Sequence, residues 1–284
     1  MKPLVSVLTA TTDFFRSRGI ASPRLDAELL IGHVLGLDRV GVYLNFDRPV
    51  RDEELEPIRT LVRRRGNREP VAWILGKKEF YGRDFIVGPG VLVPRPDTET
   101  LIEAMLPHLE GSDPIYLADI GSGSGCIGLT LAAERPGVRL FAVDISEIAL
   151  AATRQNVEAL GLKDRVAVLR GSLLDPIPAG RPLDWVVSNP PYIPAAVILD
   201  LEPEVRDHEP RIALDGGADG LDVYRRLLPE AAARARIGVA LEVGMGQAEA
   251  VAKLARAAGL TTIQIHRDLG GIERVVIAVR SASA

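Results

Sequence analysis

Cysteine and histidine are scarce in this chain of 284 residues, which contains one cysteine, Cys126, and four histidines. A single thiol can neither form an internal disulfide nor build a cysteine zinc cluster. The histidines, at positions 33, 108, 208 and 266, are scattered rather than spaced as metal ligands. We therefore expect no metal ion and no disulfide-stabilised secreted scaffold.

Long apolar runs and an excess of positive charge are also missing. No apolar stretch reaches the ~18 residues that a membrane span needs, and the first residues lack a signal-peptide pattern. The formal net charge of -4 argues against stable, sequence-independent nucleic-acid binding. The sequence therefore predicts a cytoplasmic protein without membrane partners. Its 47% of hydrophobic residues are ample for the cores of one or two domains.

Residues 1–75 are predicted to form a small helical domain. Apolar periodicity between start and stop signals, with Ser22 as a candidate N-cap, indicates three helices: Val5–Arg18, Pro23–Leu35 and Asp52–Arg65. The basic cluster Arg63–Arg68 lies at the predicted C-terminus of the third helix, where the helix dipole favours cations. A contact with RNA or protein is the alternative explanation for this cluster.

Residues 76–96 are predicted to form a β-hairpin linker. Aromatic and β-branched residues at positions 79–93 are interrupted by Gly82 and by a Gly-Pro-Gly sequence at 88–90, which are turn signals. Prolines at positions 94 and 96 then end the extended segment. The linker would connect the helical domain to the C-terminal two thirds of the chain.

Residues 97–284 are predicted to form an α/β domain, in which Asp97 or Thr98 caps a first helix that runs to about Leu109. Beyond it, strands and helices alternate, which predicts a parallel sheet with helices on both faces. The predicted strands are Ile115–Ile120, Arg139–Asp144, Arg165–Gly171, Leu183–Ser188, Ile237–Val243, Thr262–His266 and Glu273–Arg280. The last two must pair antiparallel, because a short Gly270-Gly271 turn joins them and a parallel return needs a longer crossover.

A glycine-rich loop, Gly121-Ser122-Gly123-Ser124-Gly125, follows the first strand of this domain, with Asp119 two positions upstream. Glycines here let the backbone turn sharply and approach a ligand closely. The dinucleotide fingerprint would need its third glycine at Cys126, so the loop favours S-adenosylmethionine over NAD. Asp144 ends the second strand, where a carboxylate can accept hydrogen bonds from ribose hydroxyls.

Three of these candidate cofactor residues also have a purely structural interpretation. Asp119 could be a solvated loop carboxylate, and Asp144 could cap the helix that starts near Ser146. Leu173, after the third strand, either borders the adenine of the cofactor or belongs to the core. The sequence leaves these alternatives open.

The tetrapeptide Asn189-Pro190-Pro191-Tyr192 follows the fourth strand, at the sheet edge where parallel sheets bind ligands. Its prolines fix their φ angles and lack N–H donors, so the loop presents acceptors. Together with the Asn189 side-chain oxygen and the flat face of Tyr192, these acceptors suit a planar NH2 group, which has two hydrogens to donate. An ordinary Asn-Pro turn is the alternative.

The glycine loop and the tetrapeptide together resemble Rossmann-like methyltransferases that use S-adenosylmethionine and modify planar amino groups. Three further stretches are similar to the HemK/PrmC family: Pro94–Glu99, His208–Leu214 with Gly216–Asp222, and Asp268–Arg274. The resemblance covers essentially the whole chain. It implies a class I methyltransferase fold, with a mostly parallel seven-stranded sheet and an antiparallel last strand, preceded by a small helical domain and a hairpin.

The resemblance also implies an activity and its participants. Members of the family methylate the side-chain amide of the glutamine in the Gly-Gly-Gln motif of class-one peptide chain release factors, with S-adenosylhomocysteine as the other product. Carried onto this sequence, the catalytic residues are Asn189, Pro190 and Tyr192, with Pro191 added for substrate binding. The cofactor residues are Asp119, Gly121, Ser122, Gly123, Ser124, Gly125, Asp144, Leu173 and Asn189. Residues 1–75 are assigned to substrate recognition.

Two other functions fit parts of the pattern. A DNA adenine N6-methyltransferase also presents such a loop to a flipped base, but it needs a DNA-reading surface and would show steep salt dependence. A non-catalytic nucleotide- or protein-binding module is the third possibility, because a fold does not determine a function. Calorimetry with S-adenosylmethionine and one turnover assay would separate binding from catalysis.

Overall fold

The computed structural model describes residues 2–111 and 113–280. The chain divides into two compact units. The first comprises the residues up to Lys77 together with Glu202–His208, and the second comprises Lys78–Leu201 with the residues from Glu209 onward. Within the described ranges, no helix combines the length and the apolarity that crossing a membrane requires.

The first unit is helical, as predicted, and its core is formed by side chains such as Leu8, Phe15, Leu30 and Ile31, all fully buried. Ser22 makes no side-chain cap; instead Pro23 starts its helix, as proline at a first helical position does. The elements of its N-terminal part are β1 (Lys2–Pro3), α1 (Leu4–Ser17), α2 (Pro23–Leu35), α3 (Arg39–Leu44), β2 (Pro49–Val50), α4 (Asp52–Gly66) and α5 (Val71–Leu75). The helices α3 and α5 were not predicted, because they are too short to show a period.

The arginine cluster at the end of α4 is engaged in ion pairs inside the first unit. Arg65 is buried and contacts Asp26 at 2.7 Å and Glu204 at 2.8 Å. Arg68 also pairs with Glu204, and Arg64 pairs with Glu69. These contacts give the cluster a structural role in addition to its favourable position at a helix C-terminus.

The hairpin is shorter than predicted. Strands β3 (Lys77–Phe80) and β4 (Arg83–Ile86) pair across a two-residue turn in which Tyr81 has φ 49° and Gly82 has φ 71°. Positive φ at both turn positions is the geometry that matches the twist of a hairpin. The expected extension to position 93 is wrong: residues 87–93, all described, form no strand. The Gly-Pro-Gly sequence at 88–90 explains this, since proline lacks the N–H that a ladder needs.

The second unit contains a seven-stranded sheet. In chain order its strands are β5 (Ile115–Ile120), β6 (Val138–Asp144), β7 (Val166–Arg170), β8 (Trp185–Ser188), β9 (Gly238–Glu242), β10 (Thr262–Arg267) and β11 (Glu273–Val279). In space the order is β10-β11-β9-β8-β5-β6-β7. Strands β5 to β9 pair parallel, whereas β11 runs antiparallel to both β9 and β10. The predicted fold class is confirmed.

Helices cover both faces of this sheet. One face packs on α10 (Asp222–Arg234) and α11 (Ala248–Ala257), where Leu227 and Val251 are fully buried. The other face packs on α6 (Glu99–Met105) and α7 (Cys126–Glu134), where Ile102 and Leu129 are fully buried. Side chains alternate between the faces along each strand, as the pleat requires. Two further helices are α8 (Glu147–Ala159) and α9 (Pro203–Arg206, in the first unit).

The winding direction of the sheet reverses between β5 and β8. After β5 the chain moves outward to β6 and β7, then returns to place β8 on the other side of β5. At such a switch point the carboxyl ends of neighbouring strands border a crevice, where ligands of open α/β sheets bind. The glycine loop follows β5 and Asn189 follows β8, so both predicted loops open onto this crevice.

Candidate active site

The glycine loop leaves β5 through backbone conformations that suit glycine. Gly121, Gly123 and Gly125 have φ of 71°, 60° and 82°. A Cβ atom at Gly125 would lie 2.8 Å from Leu129 Cδ1, so this position also needs the missing side chain for space. The Gly121 and Ser122 N–H groups donate to the Val143 carbonyl at 2.8 and 2.9 Å, which holds the loop beside the end of β6.

Asp144 ties two loops together at this edge. Its Oδ2 accepts from the Gly123 N–H at 2.9 Å, and its Oδ1 accepts from the Ser146 N–H at 2.8 Å. The helix cap considered for Asp144 belongs to Ser146, whose hydroxyl accepts from the Ala149 N–H at 3.3 Å. Each carboxylate oxygen retains a further lone pair, so Asp144 can also accept from a ligand.

Asp119 is fully buried, which makes the alternative of a solvated loop carboxylate wrong. Its Oδ2 accepts from the Gly128 N–H in the first turn of α7 at 2.9 Å. Burial raises the pKa of the Asp119 carboxyl to about 7, against the lowering effect of the Gly128 N–H and with a further rise from the charge of Asp144. Within residues 2–111 and 113–280, neither Asp119 Oδ1 nor Ser122 Oγ has a hydrogen-bond partner.

Leu173 belongs to the core and also lines the cavity, and its place beside the adenine stays a prediction. Its side chain lines the cavity at this edge of the sheet and also packs in the core of the second unit, with 9% of its surface exposed. Its φ of 49° is uncommon for a residue with a branched side chain. Such conformations persist where the surroundings impose them, and they concentrate at ligand sites.

In the tetrapeptide after β8, Asn189 is oriented by a hydrogen bond to Thr98. Asn189 Nδ2 donates to the Thr98 hydroxyl at 3.3 Å, which leaves the side-chain oxygen Oδ1 on the other side of the amide. The Ser188 hydroxyl donates to the Ile120 carbonyl at 2.6 Å and so joins the ends of β8 and β5. Pro190 is buried and lines the cavity.

Tyr192 turns away from the cavity and towards the end of β9. Its hydroxyl donates to Glu242 Oε1 at 3.4 Å, and its carbonyl accepts from Gln247 Nε2 at 3.0 Å. Burial and the charge of Glu242 raise the pKa of Tyr192, so the phenol stays protonated. The predicted packing of this ring against a substrate amide therefore stays a prediction.

The segment 214–220 packs against the tetrapeptide. Ile193 forms an isolated bridge with Asp215, and its carbonyl accepts from the Gly216 N–H at 2.9 Å. A Cβ atom at Gly216 would lie 2.8 Å from the Pro191 carbonyl, and one at Gly220 would lie 2.2 Å from the Tyr192 carbonyl. The glycines of this segment are therefore the residues that let it approach the loop.

The stretch Pro94–Glu99 does not cap its helix as predicted. Residues 96–98 form a 3-10 turn before α6, and neither that turn nor α6 has a side-chain cap. The Thr98 hydroxyl accepts instead from Asn189, while Asp97 contacts Arg274 at 2.7 Å. Thr98 and Asp97 therefore bond to residues distant in sequence instead of capping the helix that follows them.

Glu242 is a site residue that the sequence reasoning missed. It ends β9 beside Ser188 and Asn189, and 1% of its surface is exposed. Burial raises the pKa of its carboxyl to about 7, although Thr98, Arg274 and Tyr192 oppose the shift. The signal was available, because Asp119, Asp144 and Glu242 are all acidic residues at or near the carboxyl ends of parallel strands.

The loops that follow β5, β6, β7 and β8 border a cavity of about 710 Å³ in the second unit. That volume lies within the range of small-molecule and cofactor sites. Most of the predicted site residues line it, namely Gly121, Ser122, Gly123, Ser124, Asp144, Leu173, Asn189, Pro190 and Pro191. Asp119, Gly125 and Tyr192 are not among the lining residues. The segment at 210–217 contributes Arg211 and Ile212 to the rim, although no site role was predicted for either residue.

The sheet order, the glycine loop at the switch point and the adjoining cavity define a Rossmann-like methyltransferase. Solved structures share this fold. The catalytic domain of human Mettl16 in complex with MAT2A 3'UTR hairpin 6 is 16% identical, with a TM-score of 0.58 over 82% of this chain and 83% of that one. The N-terminal domain of human METTL16 in complex with SAH is 19% identical, with a TM-score of 0.53 over 72% of this chain and 77% of that one.

The family is narrower than the fold. The family model "PrmC N-terminal domain" matches residues 6–76, and "Methyltransferase small domain" matches residues 95–199. The release factor glutamine methyltransferase of Geobacter sulfurreducens is 45% identical, over 95% of this chain and 94% of that one. Its counterpart in Rhodospirillum rubrum is 48% identical, over 93% and 81%. The chain belongs to the release factor glutamine methyltransferase family.

Proposed function

We propose that this protein transfers a methyl group from S-adenosylmethionine to the side-chain amide nitrogen of the glutamine in the Gly-Gly-Gln motif of class-one peptide chain release factors. Family membership supports the substrate, and the acceptor loop supports the reaction. The observation that carries the proposal is the hydrogen bond from Asn189 Nδ2 to the Thr98 hydroxyl, because it leaves Oδ1 as an acceptor for a planar NH2 group.

The residues around the cavity fit S-adenosylmethionine, which would supply an electrophilic methyl group. Asp144 lines the cavity and can accept from ribose hydroxyls. The buried oxygens Asp119 Oδ1 and Ser122 Oγ have no partner among the described residues, and buried polar atoms normally have one. We assign cofactor binding to the residues predicted from the sequence. The glycine loop, Gly121–Gly125, lets the protein backbone approach the cofactor closely.

The acceptor loop addresses the weakness of an amide as a nucleophile. The lone pair of an amide nitrogen is delocalised into its carbonyl, so acceptors for both hydrogens raise electron density on nitrogen and orient it. We assign these roles to Asn189 Oδ1 and the Pro190 carbonyl, with Pro191 keeping the loop rigid. Both hydrogen bonds strengthen as positive charge develops on nitrogen, which is the condition for stabilising a transition state.

The rest of the chain is consistent with a protein substrate. We propose that the helical domain, residues 1–75, takes part in recognising it, as the match to a family-specific N-terminal model supports. The glycines that flank the target glutamine give a thin, flexible tip that can enter the cavity. A substrate that acts in translation would place the reaction in the cytoplasm.

Isotope transfer tests this function directly. The enzyme is incubated with labelled S-adenosylmethionine and a purified release factor or, separately, duplex DNA, and the label is located by mass spectrometry. We expect the label on the glutamine of the Gly-Gly-Gln motif. Label on adenine, or on another release-factor residue, would overturn the proposal.

Asn189→Ala provides the matching variant. Turnover should fall by about 10²–10³, the usual cost of losing one preorganised polar group, while the affinity for S-adenosylmethionine stays within a few-fold of wild type. Asn67→Ala is the control, since it makes the same truncation at an exposed position of the first unit. Near-normal turnover in Asn189→Ala would contradict the assigned role.

A further inference from the structure

A guanidinium group borders the cavity just before α6. Arg95 lines the cavity, and 37% of its side chain is exposed. Its Nη2 donates to Glu209 Oε2 at 2.6 Å, and the Glu209 side chain is buried, with 1% exposed. A guanidinium carries five N–H donors and remains charged in proteins. Arg95 therefore keeps donors for a further acceptor while Glu209 holds one side of the group.

Hydrogen bonds place Arg95 at the end of the cavity where the acceptor loop lies. The Thr98 N–H donates to the Arg95 carbonyl at 3.1 Å, and the Thr98 hydroxyl accepts from Asn189 Nδ2 at 3.3 Å. Asn189 follows β8, whereas Asp144 ends β6, and β5 lies between these two strands in the sheet. Since neighbouring strands lie ~4.8 Å apart, about 10 Å separates β8 from β6. Arg95 and Asp144 thus lie towards opposite ends of the cavity.

We propose that Arg95 binds the α-carboxylate of S-adenosylmethionine, and that Glu209 is a positioning residue that fixes the guanidinium for this contact. The proposal rests on the proposed function, because it takes this cofactor as the methyl donor. It also adds to the site, since the cofactor residues predicted from the sequence include no cation for the carboxylate.

The covalent structure of the cofactor supports this placement. Its ribose is assigned to Asp144, and its sulfonium must lie where Asn189 holds the acceptor amide, because the methyl group passes directly between the two. Only three carbon atoms separate the sulfur from the carboxyl carbon. The carboxylate therefore stays near Asn189, within reach of a residue that lies one turn before Thr98.

The charges around the cavity also favour Arg95. Among the described residues, two other arginines line the cavity. Arg211 lies on the rim with 69% of its side chain exposed and contacts Asp215 at 3.1 Å. Arg226 donates to the hydroxyl of Ser172, which follows β7 at the far end of the sheet, at 3.2 Å. Arg95 is thus the arginine at the acceptor end, and a guanidinium matches a carboxylate with two parallel N–H donors.

Glu209 prepares Arg95 for the ligand. A long arginine side chain loses rotamer freedom when it becomes ordered, and its ion pair with a buried carboxylate imposes this loss during folding rather than during binding. The negative charge of Glu209 does not exclude the cofactor, because the cofactor also carries a positive ammonium group and a positive sulfonium. The pair therefore offers a preorganised donor to the carboxylate.

Two ligands and four variants test the proposal by calorimetry on the full-length enzyme, without a release factor. S-adenosylmethionine and its decarboxylated form differ only in the carboxylate, so the ratio of their dissociation constants reports on the contact with that group. Arg95→Gln removes the cation, and Arg95→Gln combined with Glu209→Gln also neutralises the buried carboxylate that the first change leaves unpaired. Glu209→Gln alone tests positioning. Arg211→Gln is the control, because it removes a rim arginine that is likewise paired with a carboxylate.

We expect the wild-type enzyme to bind S-adenosylmethionine about tenfold or more tightly than the decarboxylated form, as charge-assisted hydrogen bonds predict. In Arg95→Gln and in the double variant, the dissociation constant for S-adenosylmethionine should rise about tenfold or more, while that for the decarboxylated form stays within about twofold. Glu209→Gln should give an intermediate ratio, since its guanidinium is present but less fixed. Arg211→Gln should keep the wild-type ratio. Thermal melts check folding, and the double variant should melt near the wild-type temperature because it leaves no unpaired buried charge.

Three results would overturn the proposal: a wild-type ratio in Arg95→Gln and in the double variant, equal losses for the two ligands, or the same change of ratio in Arg211→Gln. A loss confined to KM for the release factor would also overturn it, by moving Arg95 to the protein substrate. The proposed function fails in a different way. A wild-type enzyme that binds neither ligand refutes both, whereas label on a residue other than the target glutamine refutes the function and leaves the contact between Arg95 and the carboxylate intact.

Discussion

At the scale of single residues, Asp144 combines a structural task with a proposed binding task. It accepts two backbone N–H groups, from Gly123 and Ser146, while its side chain also lines the cavity. Asp144→Ala should therefore weaken S-adenosylmethionine binding, since charge-assisted hydrogen bonds are worth ~1.5–3 kcal/mol, which corresponds to about tenfold or more in the dissociation constant. Calorimetry measures this directly. An unchanged isotherm would show that Asp144 only organises the loops.

Asp119 makes stability depend on pH, and the sign follows from its burial. Its pKa is about 7 in the folded chain and ordinarily 3.8, so the folded state holds a proton that the unfolded state has released. The neutral Asp119 carboxyl therefore contributes fully to the free energy of unfolding below about pH 4, and this contribution is lost as the pH rises towards 7.

Asp119→Asn removes this dependence, because an amide does not titrate. Relative to wild type, the variant should gain up to roughly 4 kcal/mol of unfolding free energy between pH 4 and pH 8, at about 1.4 kcal/mol per pKa unit. Urea unfolding at several pH values measures the difference, with Asp164→Asn at an exposed position as the control. Parallel pH curves for wild type and Asp119→Asn would contradict the assigned protonation.

At the scale of elements, the acceptor loop is shaped by segments that are distant in the chain. The segment 214–220 packs against the loop, and Thr98 in the turn before α6 accepts a hydrogen bond from Asn189. The close approach depends on Gly220, where a Cβ atom would lie 2.2 Å from the Tyr192 carbonyl. A loop held on two sides can be rigid without regular secondary structure, which suits a preorganised site.

Gly220→Ala tests this support against a matched glycine. Gly220 and Gly180 have similar φ, 78° and 82°, but a Cβ atom at Gly180 would meet nothing within 4 Å. Both variants should lose about 1–2 kcal/mol for the left-handed conformation, and Gly220→Ala should lose more, because its Cβ must displace the Tyr192 carbonyl; kcat should fall only in Gly220→Ala. Thermal melts and turnover assays measure the two effects. Equal kcat in the two variants would show that the loop does not need the support.

At the scale of the whole molecule, the two units have different tasks. All the residues that line the cavity belong to the second unit, while a buried ion-pair cluster of Arg65, Asp26 and Glu204 lies in the first. Removing Arg65 from this cluster leaves the Asp26 carboxylate buried without its partner, which is costly. The first unit can therefore be destabilised without touching the proposed cofactor site.

Arg65→Ala should lower stability by about 3–5 kcal/mol, because it leaves the buried Asp26 carboxylate without its ion-pair partner, while Glu204 keeps Arg68. Arg63→Ala is the control: Arg63 and its partner Glu56 are both exposed, so its loss should cost at most about 1 kcal/mol. Chemical denaturation measures both, and calorimetry under native conditions should give wild-type affinity for S-adenosylmethionine in each. Equal costs for the two arginines would contradict the importance of the buried cluster.

The features that could be predicted from the chain alone are those encoded by local pattern. Alternating strands and helices predicted the parallel sheet, and strand ends such as Ile120, Asp144 and Ser188 were placed correctly because apolar runs stop at glycine or polar residues. The short turn at 270–271 predicted the antiparallel last strand, since so few residues cannot form a crossover. The glycine loop and the tetrapeptide were located for the same reason: each signal lies within a few consecutive residues.

The contacts that assemble the site depend on residues far apart in sequence. Thr98 and Asn189 are 91 positions apart, and capping rules that consider Thr98 alone assign its hydroxyl to the wrong partner. The burial of Asp119, the hydrogen bond from Tyr192 to Glu242 and the grouping of Glu202–His208 with the N-terminal helices likewise arise from packing between distant segments. No periodicity or spacing reports such contacts, because burial and hydrogen-bond partners are properties of the folded chain and are settled only when its elements pack together.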